Sequence, residues 1–273
     1  MASTSPFQRR LRNPLRRHTD FGERRFRRGV YILPSLFTLG NMFCGYACVI
    51  YAMRGEYEKA APFVGIAIVL DMLDGRIARM TGGTSDFGLQ FDSLADVISF
   101  GMAPAILSFQ WGLASLGRLG WAAAFLFVTA AALRLARFNI QSPTSDKRYF
   151  VGMPSPAAAG VPAATVFLYP FGLHDPHEAL PALAMVVVPA LLMVSTIRFR
   201  SFKSIDMQTR RPFRVLILFA AFIALLVTHP QWVLVVLAYG YLLSAFVGLA
   251  WSKLRRRPAE PPGTEHPTDR AAR

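Results

Sequence analysis

Cysteine and charge are both scarce in this chain. Its two cysteines, Cys44 and Cys48, lie four apart in one apolar run, and no second pair exists to complete a metal site. They read as buried free thiols. Charged residues make up only 17% of the 273, against 53% hydrophobic and a mean hydropathy of +0.35. A soluble domain of this size needs fewer apolar residues, and here they cluster in long runs separated by basic stretches. That pattern is a polytopic α-helical membrane protein. Short segments of alternating hydrophobicity are missing, which argues against a membrane β-barrel. Also missing is a short apolar core followed closely by a small-residue cleavage site, so no cleaved signal peptide is expected.

Runs of about 17–25 apolar residues are long enough to span a bilayer. They occur at 31–53, 58–79, 93–113, 119–138, 156–173, 179–197, 213–228 and 231–252. The expected fold is all-α, a polytopic membrane helix bundle of about eight transmembrane helices. The seventh run is short and the fifth is rich in proline and small residues, so six to eight spans fit. The expected divisions are a basic segment 1–29, a transmembrane domain 30–253 and a disordered tail 254–273, which is polar and proline-rich.

A net charge of +14 invites a nucleic-acid partner, but the placement of the charges argues against one. Nine arginines, from Arg9 to Arg28, precede the first span. Arg76 and Arg79, then Arg134, Arg137, Lys147 and Arg148, then Arg198 to Arg214, fall in alternate loops, and the tail is basic again. Of the 30 basic residues only Arg54, Lys59 and Arg118 stand outside this series. The positive-inside rule then puts both termini in the cytoplasm and leaves no need for nucleic acid. The basic N-terminal segment also suits anionic membrane lipids.

Against this background residues 71–96, DMLDGRIARMTGGTSDFGLQFDSLAD, stand out. Asp71 and Asp74 are three apart and Asp92 and Asp96 four apart, so each pair shares a helix face. A carboxylate at a bilayer's centre costs about 2.5–3.5 kcal/mol on insertion scales. Asp71, Asp74, Gly75, Ala78 and Arg79 form one stripe: carboxylates, two small residues, a guanidinium. Small residues admit a flat ligand, and arginine offers a planar fork to phosphate. Gly88, Asp92 and Asp96 repeat every four residues on the next helix. Antiparallel packing brings the four carboxylates around one volume, where two divalent cations balance their charge. Oxygen ligands favour Mg2+ or Mn2+. Metals with arginine suit phosphoryl transfer at the cytoplasmic end of a helix hairpin. Buried ion pairs, such as Asp71 with Arg76 or Asp92 with Arg79, are the structural alternative. A cation-coupled transporter is the other, though transporters often show internal repeats and none is evident here.

The run fits D-x-x-D-G-x-x-A-R-x(8)-G-x-x-x-D-x-x-x-D at every fixed position, and in this it resembles the CDP-alcohol phosphatidyltransferase family. LPSLFTLGNMFCG at 33–45, DSLADVISFGMAPA at 92–105, ARFN at 136–139 and YFVGMPSPAAAG at 149–160 are similar to the family's bacterial serine-accepting branch. The resemblance implies a multi-pass enzyme of the bacterial inner membrane that moves a phosphatidyl group from CDP-diacylglycerol to L-serine. It implies that Asp71, Asp74, Asp92 and Asp96 hold two divalent ions and that Asp96 is the general base. It places cytidine against Gly75 and Ala78, the diphosphate at Arg79, and further nucleotide contacts at Ser85, Gly88, Thr38 and Ser35. Ser35 stands where many members have asparagine. Sister enzymes using glycerol 3-phosphate, inositol phosphate or choline share the motif, so the motif alone leaves the acceptor open. Relatives often form homodimers, and the small-residue-rich fourth span suits close packing.

A serine carboxylate needs a cationic partner, and Arg134 and Arg137 at the end of the fourth span are the candidates; both also serve positive-inside anchoring. His174, Asp175, His177 and Glu178 form a second tempting cluster, but their short loop lacks a defined four-ligand geometry.

Overall fold

The computed structural model describes residues 19–81, 86–140, 149–195, 198–200 and 212–255. Helices dominate. In chain order they are α1 (Thr19–Met53), α2 (Tyr57–Thr81), α3 (Asp86–Asp96), α4 (Ala103–Trp111), α5 (Arg118–Ile140), α6 (Ser155–Leu168), α7 (Pro176–Val194), α8 (Pro212–Thr228) and α9 (Pro230–Arg255). A π-helical turn, Val97–Met102, joins α3 to α4, and a 3-10 turn, Leu113–Leu116, precedes α5. Two three-residue strands, β1 (Tyr149–Val151) and β2 (Arg198–Arg200), pair antiparallel, with Phe150 opposite Phe199.

Each apolar window of the sequence is occupied by helix, with shifted ends. The first helix begins at Thr19 and so continues back through Arg24, Arg25, Arg27 and Arg28, a stretch with no proline and several good helix formers. The fifth window is cut to Ser155–Leu168, a length below that of a full span. Ser35–Met53, Asp86–Trp111, Arg118–Ile140 and Pro176–Val194 are long and apolar enough to cross a membrane. Ala220–Thr228 and Pro230–Ser244 count as a fifth if taken as one broken span, bent by 116° at His229. Proline at the head of α9 lacks an N–H and cannot continue the hydrogen-bond ladder of α8.

The inner and outer faces of α1 show why the helices pack as they do. Thr38, Asn41, Gly45, Cys48 and Ala52 follow three- and four-residue spacing and are buried. Leu36, Leu39, Phe43 and Tyr46 point out and are exposed, the arrangement suited to lipid. On α2 the inner stripe is Ala60, Val64 and Ala67, and the same stripe continues into Asp71 and Asp74. Small residues bring the backbones close. A Cβ on Gly45 would stand 2.8 Å from the Ser99 Cα, so α1 lies directly against the π turn. Gly120, Ala123, Ala130 and Ala131 of α5 are buried within the chain, while Trp121, Phe125 and Leu133 face outward.

The segment before α6 is pinned. Met153 N–H donates to Leu192 O at 3.0 Å, and Gly152 sits at φ +85° with space for a Cβ only 2.5 Å from Met193 O. This turn sets the start of α6 and therefore the position of Ser155. Gly152→Ala is expected to cost about 1–3 kcal/mol through backbone strain alone. The check is the thermal midpoint in detergent, and an unchanged midpoint would contradict a pinned turn.

Candidate active site

At the end of the α2–α3 hairpin, Asp71 and Asp92 are half-buried and Asp96 is buried. One carboxylate oxygen from each lies within 4.8 Å of the other two. Three hard oxygen donors at this spacing fit a divalent cation of the Mg2+ or Mn2+ type and suit thiophilic metals poorly. Asp92 and Asp96 come from α3 and Asp71 from α2, and both helices pack against α1, which brings the three carboxylates together.

Asp74 stands apart from that triad. It is buried on α2 and accepts a hydrogen bond from the Thr38 hydroxyl of α1. Thr38 thus orients a carboxylate, a role its sequence context did not suggest. Asp92 remains within electrostatic reach of both Asp71 and Asp74. Gly75 and Gly88 are half-buried on α2 and α3 beside the carboxylates. Ala78 and Arg79 belong to α2, but their side chains lie outside what is described, as does the whole of Ser85. Ser35 is half-buried on α1, and the Arg76 side chain is exposed. Lys147, Arg148 and the basic residues at 201–211 are outside the described residues too.

The two arginines separate. Arg134 on α5 points inward, donates from Nη1 to the Ser155 hydroxyl at 2.8 Å and lies within electrostatic reach of Asp96. Its guanidinium stands 5.9 Å from the Phe138 ring centre, and Tyr241 of α9 also faces it. Arg137, one turn on, is half-buried, and no contact of its side chain with this group is seen. Asn139 Nδ2 donates to Ser93 Oγ at 2.9 Å, tying the end of α5 to α3 beside Asp92.

Asn41 is the site residue that the pattern of carboxylates did not reveal. It is fully buried on α1, and its Nδ2 donates to Asp96 Oδ1 at 3.2 Å. Ser99 of the π turn donates to the Asn41 carbonyl at 2.8 Å, which ties the two elements together. The Asn41 Oδ1 is the one buried side-chain polar atom without a hydrogen-bond partner among the described residues. Leaving such an acceptor unsatisfied costs about 1–3 kcal/mol. A signal was present in the sequence: an asparagine inside an apolar span is costly and marks a functional position. The π turn carries a similar message, since such turns recur at functional sites.

At the far end of the bundle a separate cavity of about 460 Å³ is lined by residues including Tyr57, Trp111, Phe171 and His174. It shares no residue with the aspartate site.

The family model for CDP-alcohol phosphatidyltransferase matches residues 31–190, which contain Asp71, Asp74, Asp92, Asp96, Asn41 and Arg134. A Helicobacter pylori protein named CDP-diacylglycerol–serine O-phosphatidyltransferase is 39% identical over 221 residues, 80% of this chain and 91% of the relative. A Bacillus subtilis protein of the same name is 32% identical over 171 residues, 63% of this chain and 91% of the relative. The archaetidylserine synthase of Methanothermobacter thermautotrophicus is 33% identical over 169 residues, 61% and 69% of the two chains. A triad of carboxylates on a helix hairpin, inside a matched region of this extent, has one family reading: the chain belongs to the CDP-alcohol phosphatidyltransferase family.

Proposed function

We propose that this chain transfers the phosphatidyl group of CDP-diacylglycerol to L-serine, giving phosphatidylserine and CMP, at the cytoplasmic face of a bacterial inner membrane. The observation that carries the reading is the inward-facing Arg134, held by Ser155 within electrostatic reach of Asp96. It offers a cation for an amino acid's carboxylate in the same site as a base for its hydroxyl. The names of these three relatives, two serine O-phosphatidyltransferases and an archaetidylserine synthase, support the same acceptor.

Asp71, Asp74, Asp92 and Asp96 would hold the divalent ions, two by charge balance, with Mg2+ and Mn2+ the fitting choices. When bound, these ions supply neutralising charge at the diphosphate. Gly75 and Ala78 leave room for the cytidine, Arg79 reaches the diphosphate, and Gly88, Ser85 and Thr38 border the nucleotide. Asp96 accepts the proton of the serine hydroxyl. The serine oxygen forms the new bond to the lipid-side phosphorus, and the bond from that phosphorus to the CMP oxygen breaks. A carboxylate is weakly basic toward a hydroxyl, so its proton arrives late, as the oxygen–phosphorus bond forms.

A site at the end of a helix hairpin lets water-borne serine meet a lipid whose acyl chains stay among the helices. The basic residues toward both ends of the chain suit the cytoplasmic side of the membrane. A homodimer would use the outer face of α5, because Gly120, Ala123, Ala130 and Ala131 are already buried within the chain.

The test is CMP release by purified protein given CDP-diacylglycerol, Mg2+ or Mn2+, and each acceptor in turn. Release with L-serine, lost on chelation and restored by adding back either ion, is expected. No release with any acceptor, or a preference for glycerol 3-phosphate, would overturn the proposal.

A further inference from the structure

We infer that Asn41 recognises the acceptor's α-ammonium group and so selects an amino acid over other alcohols. The inference rests on the serine-transfer reading above and adds a residue to it.

The argument starts from the amide's orientation. Asn41 has two donors on Nδ2 and an acceptor at Oδ1. A carboxylate is an acceptor only, so the amide must turn Nδ2 toward Asp96, as it does at 3.2 Å. Turned the other way, the amide oxygen would face a carboxylate oxygen. The fixed orientation leaves Oδ1 beside the site with no hydrogen-bond partner among the described residues. Ser99 locks the backbone carbonyl of Asn41 through its hydroxyl, so the side chain does not gain freedom from a mobile main chain. What the site lacks is therefore a donor, held one amide's width from the contact to Asp96.

An amino acid with a β-hydroxyl supplies that donor. Its hydroxyl goes to Asp96, its carboxylate to Arg134, and its ammonium to Asn41 Oδ1. Ser155 engages one N–H of Arg134, and a guanidinium has five. Three contacts from three helices fix both the identity and the hand of the substrate. Polyols and phosphate monoesters have no cation to offer Oδ1. A hydroxyl there gives only a neutral hydrogen bond, weaker than one from an ammonium. Phosphate oxygens would meet the amide Oδ1 acceptor to acceptor, which penalises them beyond the loss of a contact.

The test uses the full-length protein and the near-isosteric Asn41→Leu, with Asn41→Ser as a second variant that packs less tightly. L-Alanine keeps the ammonium and carboxylate without the reactive hydroxyl, and propionate lacks the ammonium. Against wild type, L-alanine should inhibit competitively with serine about tenfold more strongly than propionate, the worth of a charge-assisted hydrogen bond. In Asn41→Leu that preference should collapse, with the serine KM raised about tenfold or more. The KM for CDP-diacylglycerol and the Mn2+ affinity, read by electron paramagnetic resonance, should stay near wild type. An unchanged inhibitor preference in the variants would overturn the inference, because a residue that only steadies Asp96 leaves it intact. A parallel fall in Mn2+ affinity would also overturn it, by making Asn41 a metal ligand. If neither variant folds, equal inhibition of wild type by alanine and propionate would do so. Wild type that releases no CMP with serine would remove the acceptor reading itself, a separate failure.

Discussion

Asp96→Asn is expected to lower kcat by about 10²–10⁴-fold, the usual worth of a positioned general base. Asparagine keeps the shape of the side chain. Its Oδ1 can still accept from Asn41 Nδ2, so the contact between α1 and α3 survives. What disappears is the acceptor for the serine proton and one negative charge of a triad whose oxygens lie within 4.8 Å. Loss of that charge relieves repulsion in the metal-free protein, so stability should hold or rise slightly. The measurement is CMP release at saturating serine, with thermal midpoints as the control for folding. Raising Mn2+ separates base from ligand: a pure ligand defect recovers with metal, a missing base does not. Activity within about tenfold of wild type would reject Asp96 as the base.

Arg134→Ala should act on the other substrate. Truncating one partner of a buried, hydrogen-bonded charge pair costs about 2–5 kcal/mol, which is a rise in serine KM of about 30-fold or more. The KM for CDP-diacylglycerol should change little, since Arg134 is on α5 and the donor site is on α2 and α3. Arg134→Lys should recover only part of the loss, because an ammonium lacks the planar fork that meets Ser155 and a carboxylate together. Arg137→Ala is the internal control. It sits one turn away from the inward-facing position, without a contact to this group, and should leave the serine KM within about threefold. Equal effects at the two positions would mean that both arginines serve the membrane interface and neither reads the substrate.

Much of this site was legible in the sequence, for a physical reason. Carboxylates are so costly in a membrane helix that their presence is itself information, and helical periodicity then places them. Asp71, Asp92 and Asp96 met as the spacing required. The helix windows were legible for the same reason, since apolar runs must be internally hydrogen-bonded in lipid. Less visible were the contributions from distant elements. Nothing local in LFTLGNMF says that Thr38 will reach Asp74 or that Asn41 will reach Asp96, across 36 and 55 residues of chain. The π turn after Asp96 changes the helix phase without a proline to announce it. Ser155 reaches Arg134 only because Gly152 adopts a positive φ and Met153 bonds to α7. The extension of α1 to Thr19 escaped a reading based on apolarity, because a helix outside the bilayer has no need of apolar residues.

The most direct test of the central claim follows the oxygen. Protein supplied with CDP-diacylglycerol, a divalent cation and L-serine labelled with heavy oxygen in its hydroxyl should yield a lipid that carries the label, while the CMP released carries none. That result places the bond change at the phosphorus and makes the serine hydroxyl the attacking group beside Asp96. Labelled CMP, or a lipid product without the label, would contradict the account.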